Sequence, residues 1–193
     1  MNSHVVRLPE DAITAALEQH ETPFFLYEEA RIRANCQRVK NAFEPHFPDF
    51  VPLYAMKANS NPHILRVVTS EGFGIDCSSE FEAYMTEQLG VLGMYTGNYT
   101  TPEEFAYVLQ REGILLNLDD PSMVSTVAAI GMPEFLSFRI NPGIGQANMQ
   151  SNILAGPDAK FGVHADDAVH AYRLAQEAGV KKFLFPSSTS VYG

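Results

Sequence analysis

Segments with strand-like and helix-like patterns alternate along most of this chain, and no other feature limits the possible folds as strongly. From residue 50 onward, short apolar runs typical of strands precede longer segments with one apolar face, which are typical of helices. Five predicted helices stop at a glycine, the residue that most readily ends a helix: Gly72, Gly90, Gly113, Gly131 and Gly179. The strand–helix units repeat at about 20 residues, so the pattern predicts a parallel sheet covered by helices.

The predicted elements divide the chain into two parts. Residues 1–27 hold a helix at 9–19 and a short strand at 24–27, and residues 28–193 begin with a long helix at 28–43. Six predicted strands follow that helix, at 50–56, 73–77, 92–96, 114–118, 135–140 and 181–185. Residues 28–193 are therefore expected to form the sheet-containing domain.

Polar side chains recur where the predicted strands end, namely at Lys57, Asp76, Thr96, Asp119 and Arg139. A doubly wound sheet concentrates its site near one switch point, whereas a (β/α) barrel draws site residues from the ends of many strands. The distribution therefore favours a TIM-type barrel. A complete barrel has eight units in roughly 250 residues, so this chain of 193 residues is expected to form an incomplete barrel of about six units.

Composition argues against several classes of function. The chain carries 13 Lys and Arg against 23 Asp and Glu, a net charge of −10, which argues against nucleic acid or a membrane surface as the main partner. The sequence has no apolar segment typical of a signal peptide or a membrane span. Two cysteines, Cys36 and Cys77, lack metal-ligand spacing, so neither a metal site nor a disulfide is indicated. We expect a cytoplasmic protein.

Lys57 stands out because it ends an apolar run of strand length, from Phe50 to Met56. A lysine at the end of a buried strand costs desolvation energy unless it has a partner or a chemical task. In a (β/α) barrel, this position is where catalytic residues lie. The alternative is a strand-end lysine whose ammonium simply extends into water.

Several motifs now occur in a recognisable order. The segment Tyr54-Ala55-Met56-Lys57-Ala58-Asn59 resembles the cofactor-lysine motif of the fold-type III pyridoxal phosphate-dependent decarboxylases. That family includes diaminopimelate and ornithine/arginine decarboxylases and shares its barrel with alanine racemase. Further segments resemble the family's later motifs in the same order, at 72–82, 95–104, 138–143 and 160–163. The resemblance covers roughly residues 22 to 183.

The resemblance implies a cofactor, pyridoxal 5′-phosphate, and roles for individual residues. Lys57 would bind the cofactor's aldehyde as the catalytic amine, with Ala55, Asp76 and Arg139 beside the cofactor. Arg139 would stabilise the cofactor's phenolate; its alternative role is an ion pair with Asp76 or Asp119. Asp76 could instead cap the next helix.

Partners and other residues follow from the same resemblance. The substrate would be an amino acid, with diaminopimelate as the leading candidate, and the enzyme would be a homodimer. Lys160 would lie at the dimer interface, and Glu82 is expected to be structural or interfacial. Two alternatives stay open: an amino-acid racemase on the same barrel, and a non-catalytic, decarboxylase-like binding protein.

The last residues depart from the family pattern. Residues 184–193 lack the histidine that the family places after this strand, and resemble instead the Ser-Ser-x-x-Val-Tyr-Gly strand of extended short-chain dehydrogenases and epimerases. The glycine-rich nucleotide fingerprint of those enzymes is absent from the sequence. The resemblance implies that the phosphate loops lie beyond residue 193. We therefore expect an N-terminal part of a decarboxylase that is not a competent enzyme alone.

Overall fold

The structure is a computed structural model that describes residues 8–144, 156 and 161–184. Its helices are α1 Glu10–Gln19, α2 Glu29–Phe43, α3 Pro62–Ser70, α4 Glu80–Leu89, α5 Pro102–Leu109, α6 Met123–Ile130 and α7 Ala168–Glu177. Its strands are β1 Leu53–Ala55, β2 Gly74–Cys77, β3 Gly93–Tyr95, β4 Ile114–Leu118, β5 Phe135–Phe138, β6 Ile140–Asn141, β7 Val163–His164 and β8 Lys182–Leu184. In the part of the chain so described, no helix is long and apolar enough to cross a membrane.

Six parallel strands form the main sheet, in the order β1-β2-β3-β4-β5-β8. Each strand lies beside the one that precedes it in this sheet, so the order never reverses. A doubly wound sheet has a reversal at its switch point, and a barrel has none. The predicted barrel topology with six units is confirmed. Within the described ranges β1 and β8 each have a sheet neighbour on one side only, so the barrel is incomplete.

Helix ends follow the signals in the sequence. The hydroxyl of Ser79 accepts a hydrogen bond from the backbone N–H of Glu82, and Thr101 does the same for Glu104. These bonds satisfy backbone donors that the first turn of a helix leaves free. Gly90 ends α4 with φ of 65°, the left-handed conformation that a side chain disfavours.

One face of the sheet packs against the helices and forms the main core. Leu116, Leu118, Leu136 and Phe138 lie on this face, and each is at most 2% exposed. Burying such a side chain stabilises a fold by roughly 1.5–3 kcal/mol. A smaller cluster joins α2 to α3 through Cys36, Ile64 and Val68. The helical layer is thus attached to the sheet by apolar contacts along its length.

Two predicted strands differ from the structure. Residues 24–27 form no strand: they pair with no strand among the described residues, and three of the four are exposed. An apolar, aromatic composition alone does not make a strand when no neighbour is available to share hydrogen bonds. The predicted strand at 135–140 is divided at Arg139, because β5 pairs with β8 in the main sheet while β6 pairs with β7 in a separate two-stranded sheet. The proposed division of the chain at residue 27 stays a prediction.

Candidate functional site

The carboxyl ends of β1, β2 and β5 bring three predicted site residues to one end of the sheet. Lys57 lies in a single 3₁₀ turn, Met56–Ala58, that directly follows β1. Asp76 lies in β2 opposite Ala55 of β1, and Arg139 directly follows β5. The positive charges of Lys57 and Arg139 both lower the pKa of Asp76. Lys57, Ala55, Asp76 and Arg139 all lie at the carboxyl ends of strands of this sheet, and their joint role in one cofactor site stays a prediction.

Burial dominates the electrostatics of Asp76. Loss of solvent raises the pKa of its carboxyl group above the ordinary value. A hydrogen bond from Thr96 and the charges of Lys57 and Arg139 act in the opposite direction on this pKa, and repulsion from Glu82 adds to the rise. The net direction is upward, so the folded chain holds a proton on Asp76 more readily than an exposed aspartate would.

Lys57 is exposed, which agrees with the alternative of a strand-end lysine whose ammonium extends into water. The strand ends at Ala55, and the 3₁₀ turn that follows it sets the direction of the next side chains. Met56 is fully buried in the core, and Lys57 faces solvent. The turn follows β1, which is the edge strand of the described sheet. The amine is consequently accessible to a small molecule.

Arg139 forms the ion pair that the sequence analysis kept as an alternative. Its Nη1 lies 3.6 Å from Oδ1 of Asp119, a carboxylate that is only 4% exposed. The guanidinium also stacks on Phe161, with 4.6 Å between Cζ and the ring centroid. Asp119 accepts a further hydrogen bond from the N–H of Gly162 at 3.2 Å, and burial raises the pKa of its carboxyl group. These contacts hold the cation at the strand end without removing it from the site.

Glu82 has a structural contact, and the interfacial role that was its alternative stays a prediction. Its carboxylate accepts hydrogen bonds from the backbone N–H and the hydroxyl of Ser78, at 2.6 and 3.1 Å, at the start of α4. Lys160, the predicted interface residue, lies outside the described residues, as does the part of the 184–193 tail that follows Leu184.

Two polar residues of the site were missed by the sequence analysis. Asn117 in β4 and Ser137 in β5 are register partners on the face of the sheet opposite the helices, and they are 6% and 0% exposed. Each is a polar residue within an apolar strand: Asn117 lies two residues before Asp119, and Ser137 lies two residues before Arg139. Residues two apart in a strand lie on the same face of the sheet, so this spacing was the available signal.

The chemistry of this residue set fits pyridoxal phosphate. An accessible primary amine can react with an aldehyde, a guanidinium held in place can stabilise a phenolate, and the carboxylate of Asp76 lies on the strand beside the one that precedes Lys57. The described residues contain no group of three or more His, Cys, Asp and Glu side chains arranged to hold a metal ion.

Comparison with known proteins agrees with this assignment. The family model described as "Pyridoxal-dependent decarboxylase, pyridoxal binding domain" matches residues 29–181. Diaminopimelate decarboxylase of Methanothermobacter thermautotrophicus is 35% identical over 174 residues, which are 88% of this chain and 40% of that protein. Protein TabA of Pseudomonas amygdali pv. tabaci is 34% identical over 167 residues, 85% of this chain and 38% of that protein.

Solved structures show the same fold. Diaminopimelate decarboxylase from Helicobacter pylori, complexed with L-lysine, superposes with a TM-score of 0.79 at 26% identity, over 86% of this chain and 44% of that one. Lysine decarboxylase from Selenomonas ruminantium superposes with a TM-score of 0.75 at 24% identity, over 97% of this chain and 49% of that one. The chain spans about 40% of the length of the curated relatives that it matches. It belongs to the pyridoxal-dependent decarboxylase family, and the segment it shares with that family is the pyridoxal binding domain.

Proposed function

We propose that this chain is the cofactor-binding part of a pyridoxal phosphate-dependent amino-acid decarboxylase, with diaminopimelate as the substrate. The observation that carries the proposal is that Lys57, Asp76 and Arg139 all lie at the carboxyl ends of parallel strands of one sheet. Support for the substrate comes from the relatives, since two of the four compared above are diaminopimelate decarboxylases.

Each residue has a task that follows from its chemistry. Lys57 holds the cofactor through its amine, which the turn after β1 presents to solvent. Arg139 places a permanent positive charge at the strand end, fixed by Asp119 and Phe161. Asp76 places a carboxylate beside these two cations, opposite Ala55. When bound, pyridoxal phosphate supplies the electron sink for the carbanion left by loss of CO₂.

The described part of the chain forms one wall of a site. Its sheet is open at β1 and at β8, so the polar face of the barrel is not enclosed by these residues. Catalysis of a decarboxylation with pyridoxal phosphate needs a site from which water is excluded. We therefore propose that the chain alone binds the cofactor weakly and does not turn over substrate. Homodimer formation, an interfacial Lys160 and a cytoplasmic location stay predictions of the sequence.

The test is covalent trapping of the cofactor on the cofactor-free chain. The chain is mixed with pyridoxal 5′-phosphate, reduced with borohydride and digested, and the modified peptide is identified by mass spectrometry. We expect the label on Lys57 and its loss in Lys57→Ala. Lys182→Ala is the matched control, because Lys182 is also exposed but lies at the amino end of β8. Labelling spread evenly over exposed lysines would contradict the proposal.

Substrate assignment needs a second assay. CO₂ release is measured for a panel of diamino acids. The assay is run on the chain alone and on a longer protein that contains this segment. We expect release from diaminopimelate by the longer protein and none by the chain. Racemisation without CO₂ release would favour the racemase, and trapping without any reaction in either protein would favour the binding protein.

A further inference from the structure

A continuous line of hydrogen bonds crosses the polar face of the sheet and ends on Asp76. Oγ of Ser137 lies 2.7 Å from Oδ1 of Asn117. Nδ2 of Asn117 lies 3.2 Å from Oγ1 of Thr96, and Oγ1 of Thr96 lies 3.0 Å from Oδ1 of Asp76. The four residues come from the carboxyl halves of β2, β4 and β5 and from the residue that follows β3, so one side chain from each of four neighbouring strands takes part.

The direction of these bonds is set by the carboxylate. An ionised carboxylate only accepts hydrogen bonds, so the single hydroxyl proton of Thr96 must point to Asp76. Oγ1 of Thr96 can then only accept from its other neighbour, which requires the NH₂ of Asn117 on that side. The amide oxygen of Asn117 therefore faces Ser137, whose hydroxyl donates to it. Each of the three hydrogen bonds then joins one donor to one acceptor.

Burial makes this line costly to break. Ser137 is fully buried and Asn117 is 6% exposed. A buried polar group without a partner is unfavourable by roughly 1–3 kcal/mol. The rotamers of Thr96 and Asn117 are thus held from both ends, by the core at Ser137 and by the charge at Asp76.

We propose that Thr96 and Asn117 are positioning residues for Asp76: they hold its Oδ1 from the sheet side and leave its Oδ2 directed to the cofactor site. This deepens the proposed function and rests on it for the identity of the ligand. In the described structure Oδ2 of Asp76 accepts no hydrogen bond, whereas Oδ1 does. The two oxygens consequently have separate tasks.

Three charged groups act on the pKa of Asp76: Lys57 from the turn after β1, Glu82 from α4 and Arg139 from the end of β5. Among the residues that the structure describes, only Thr96 donates a hydrogen bond to this carboxylate. Removing its hydroxyl should raise the pKa of Asp76, because that bond favours the ionised form.

The experiment follows the titration of the Asp76 carboxyl carbon by NMR in the cofactor-free chain. Thr96→Val keeps the shape of the side chain and removes the donor, and we expect an upward shift of the Asp76 pKa. Asn117→Leu should produce a smaller upward shift, since Thr96 is present but no longer oriented. Thr69→Val is the matched control, because Thr69 is also half-buried but bonds only to backbone carbonyls of its own helix; it should not shift the titration.

A double variant separates positioning from a general change in solvation. If Asn117 acts through Thr96, then Thr96→Val with Asn117→Leu shifts Asp76 no further than Thr96→Val alone. Two shifts that simply add, or no shift in Thr96→Val, would overturn the proposal. If Asn117→Leu fails to fold, Ser137→Ala takes its place in the same cycle, with the same expected non-additivity.

Cofactor trapping on Lys57 provides the second readout. Thr96→Val should weaken pyridoxal phosphate binding by about 5-fold relative to Thr69→Val, the loss expected for one ordinary hydrogen bond. If the unmodified chain is not labelled at Lys57, the proposed function fails, while the titration still decides the role of Thr96 and Asn117. Equal labelling of Thr96→Val and Thr69→Val would remove the link between this positioning and the cofactor.

Discussion

The two faces of the sheet are built from opposite chemistry. The face that packs on the helices presents Leu116, Leu118, Leu136 and Phe138, all nearly or fully buried. Between these residues, at alternate positions, the other face carries Asn117 and Ser137 joined to Thr96 and Asp76 by hydrogen bonds. The first face gains stability from burial that requires no particular geometry. The second face gains little from burial and needs every donor matched to an acceptor.

The apolar face therefore contributes mainly to the stability of the fold, and the polar face contributes mainly to the arrangement of the site. The helix-facing side chains hold the strands in order, and the polar face uses that order to align groups from four strands. Substitutions on the apolar face should therefore change the free energy of unfolding most. Substitutions on the polar face should cost less stability and change the site more.

Phe138→Ala should show the largest effect. Phe138 is 1% exposed and meets Tyr172 edge to face with ring centroids 5.0 Å apart. Deleting a buried phenyl ring destabilises by about 3–5 kcal/mol. Urea denaturation measures this, and Phe81→Ala, at a position 63% exposed, should change the free energy of unfolding by less than about 0.5 kcal/mol. Similar losses in both variants would contradict the assignment of the core.

Ser137→Ala should cost about 1–3 kcal/mol, because it leaves the buried amide oxygen of Asn117 without its donor. The same denaturation measurement applies. Ser125→Ala removes an exposed hydroxyl that bonds only to a nearby carbonyl, and should lie within about 0.5 kcal/mol of the unmodified chain. If Ser137→Ala is as mild as this control, the hydrogen-bonded line contributes nothing to stability.

Asp76→Asn should increase stability near neutral pH, by less than either change above. The folded-state pKa of Asp76 is raised by burial, so its contribution is favourable below the ordinary carboxyl pKa and is lost as pH rises through the folded value. The variant keeps an oxygen that can accept from Thr96. Its advantage over the unmodified chain should grow from acid to neutral pH in denaturation experiments.

Glu71→Gln is the control with the opposite sign. Hydrogen bonds from Arg33 and Gln37 lower the pKa of Glu71, so its contribution is present above the ordinary carboxyl pKa and disappears as pH falls through the lowered folded value. Glu71→Gln should therefore be less stable than the unmodified chain at neutral pH and equal to it in strong acid. The same pH trend in both variants would show that Asp76 is not governed by burial.

Glu134→Gln should have the smallest effect. Glu134 pairs with Lys182 at 2.7 Å across β5 and β8, but both side chains are more than half exposed. Water and salt screen such a pair, and many contribute nothing measurable. We expect a change within the scatter of the denaturation measurement at high salt. A large loss would mean that the β5–β8 edge depends on charge and not on the apolar face.

Much of the fold was predictable because it depends on local patterns. The apolar runs and the glycines at helix ends placed most helices and strands within a few residues of their observed ends. The exception at 24–27 shows the limit of composition, since a strand exists only beside a partner. Arg139 shows a second limit, because the division of its strand depends on two different neighbours, β8 and β7.

The site was predictable in its members more than in its geometry. Lys57, Asp76 and Arg139 could be named because polar residues at strand ends stand out within an apolar sequence. The sequence left open whether Lys57 is buried or extends into water, and the 3₁₀ turn after β1 leaves it exposed. Asn117 and Ser137 were missed because neither lies at the end of its strand, although both are polar residues in apolar strands.

The sequence by itself determined the order of the elements and the singly wound parallel sheet, which follow from periodicities and end signals that act over a few residues. The residues expected in a pyridoxal-dependent site were named from the resemblance of its motifs to a known family. Only the tertiary structure decided which polar groups meet. Thr96, Asn117 and Ser137 lie about 20 residues apart along the chain and within hydrogen-bond distance in space, because neighbouring parallel strands set their register through packing that no single segment contains.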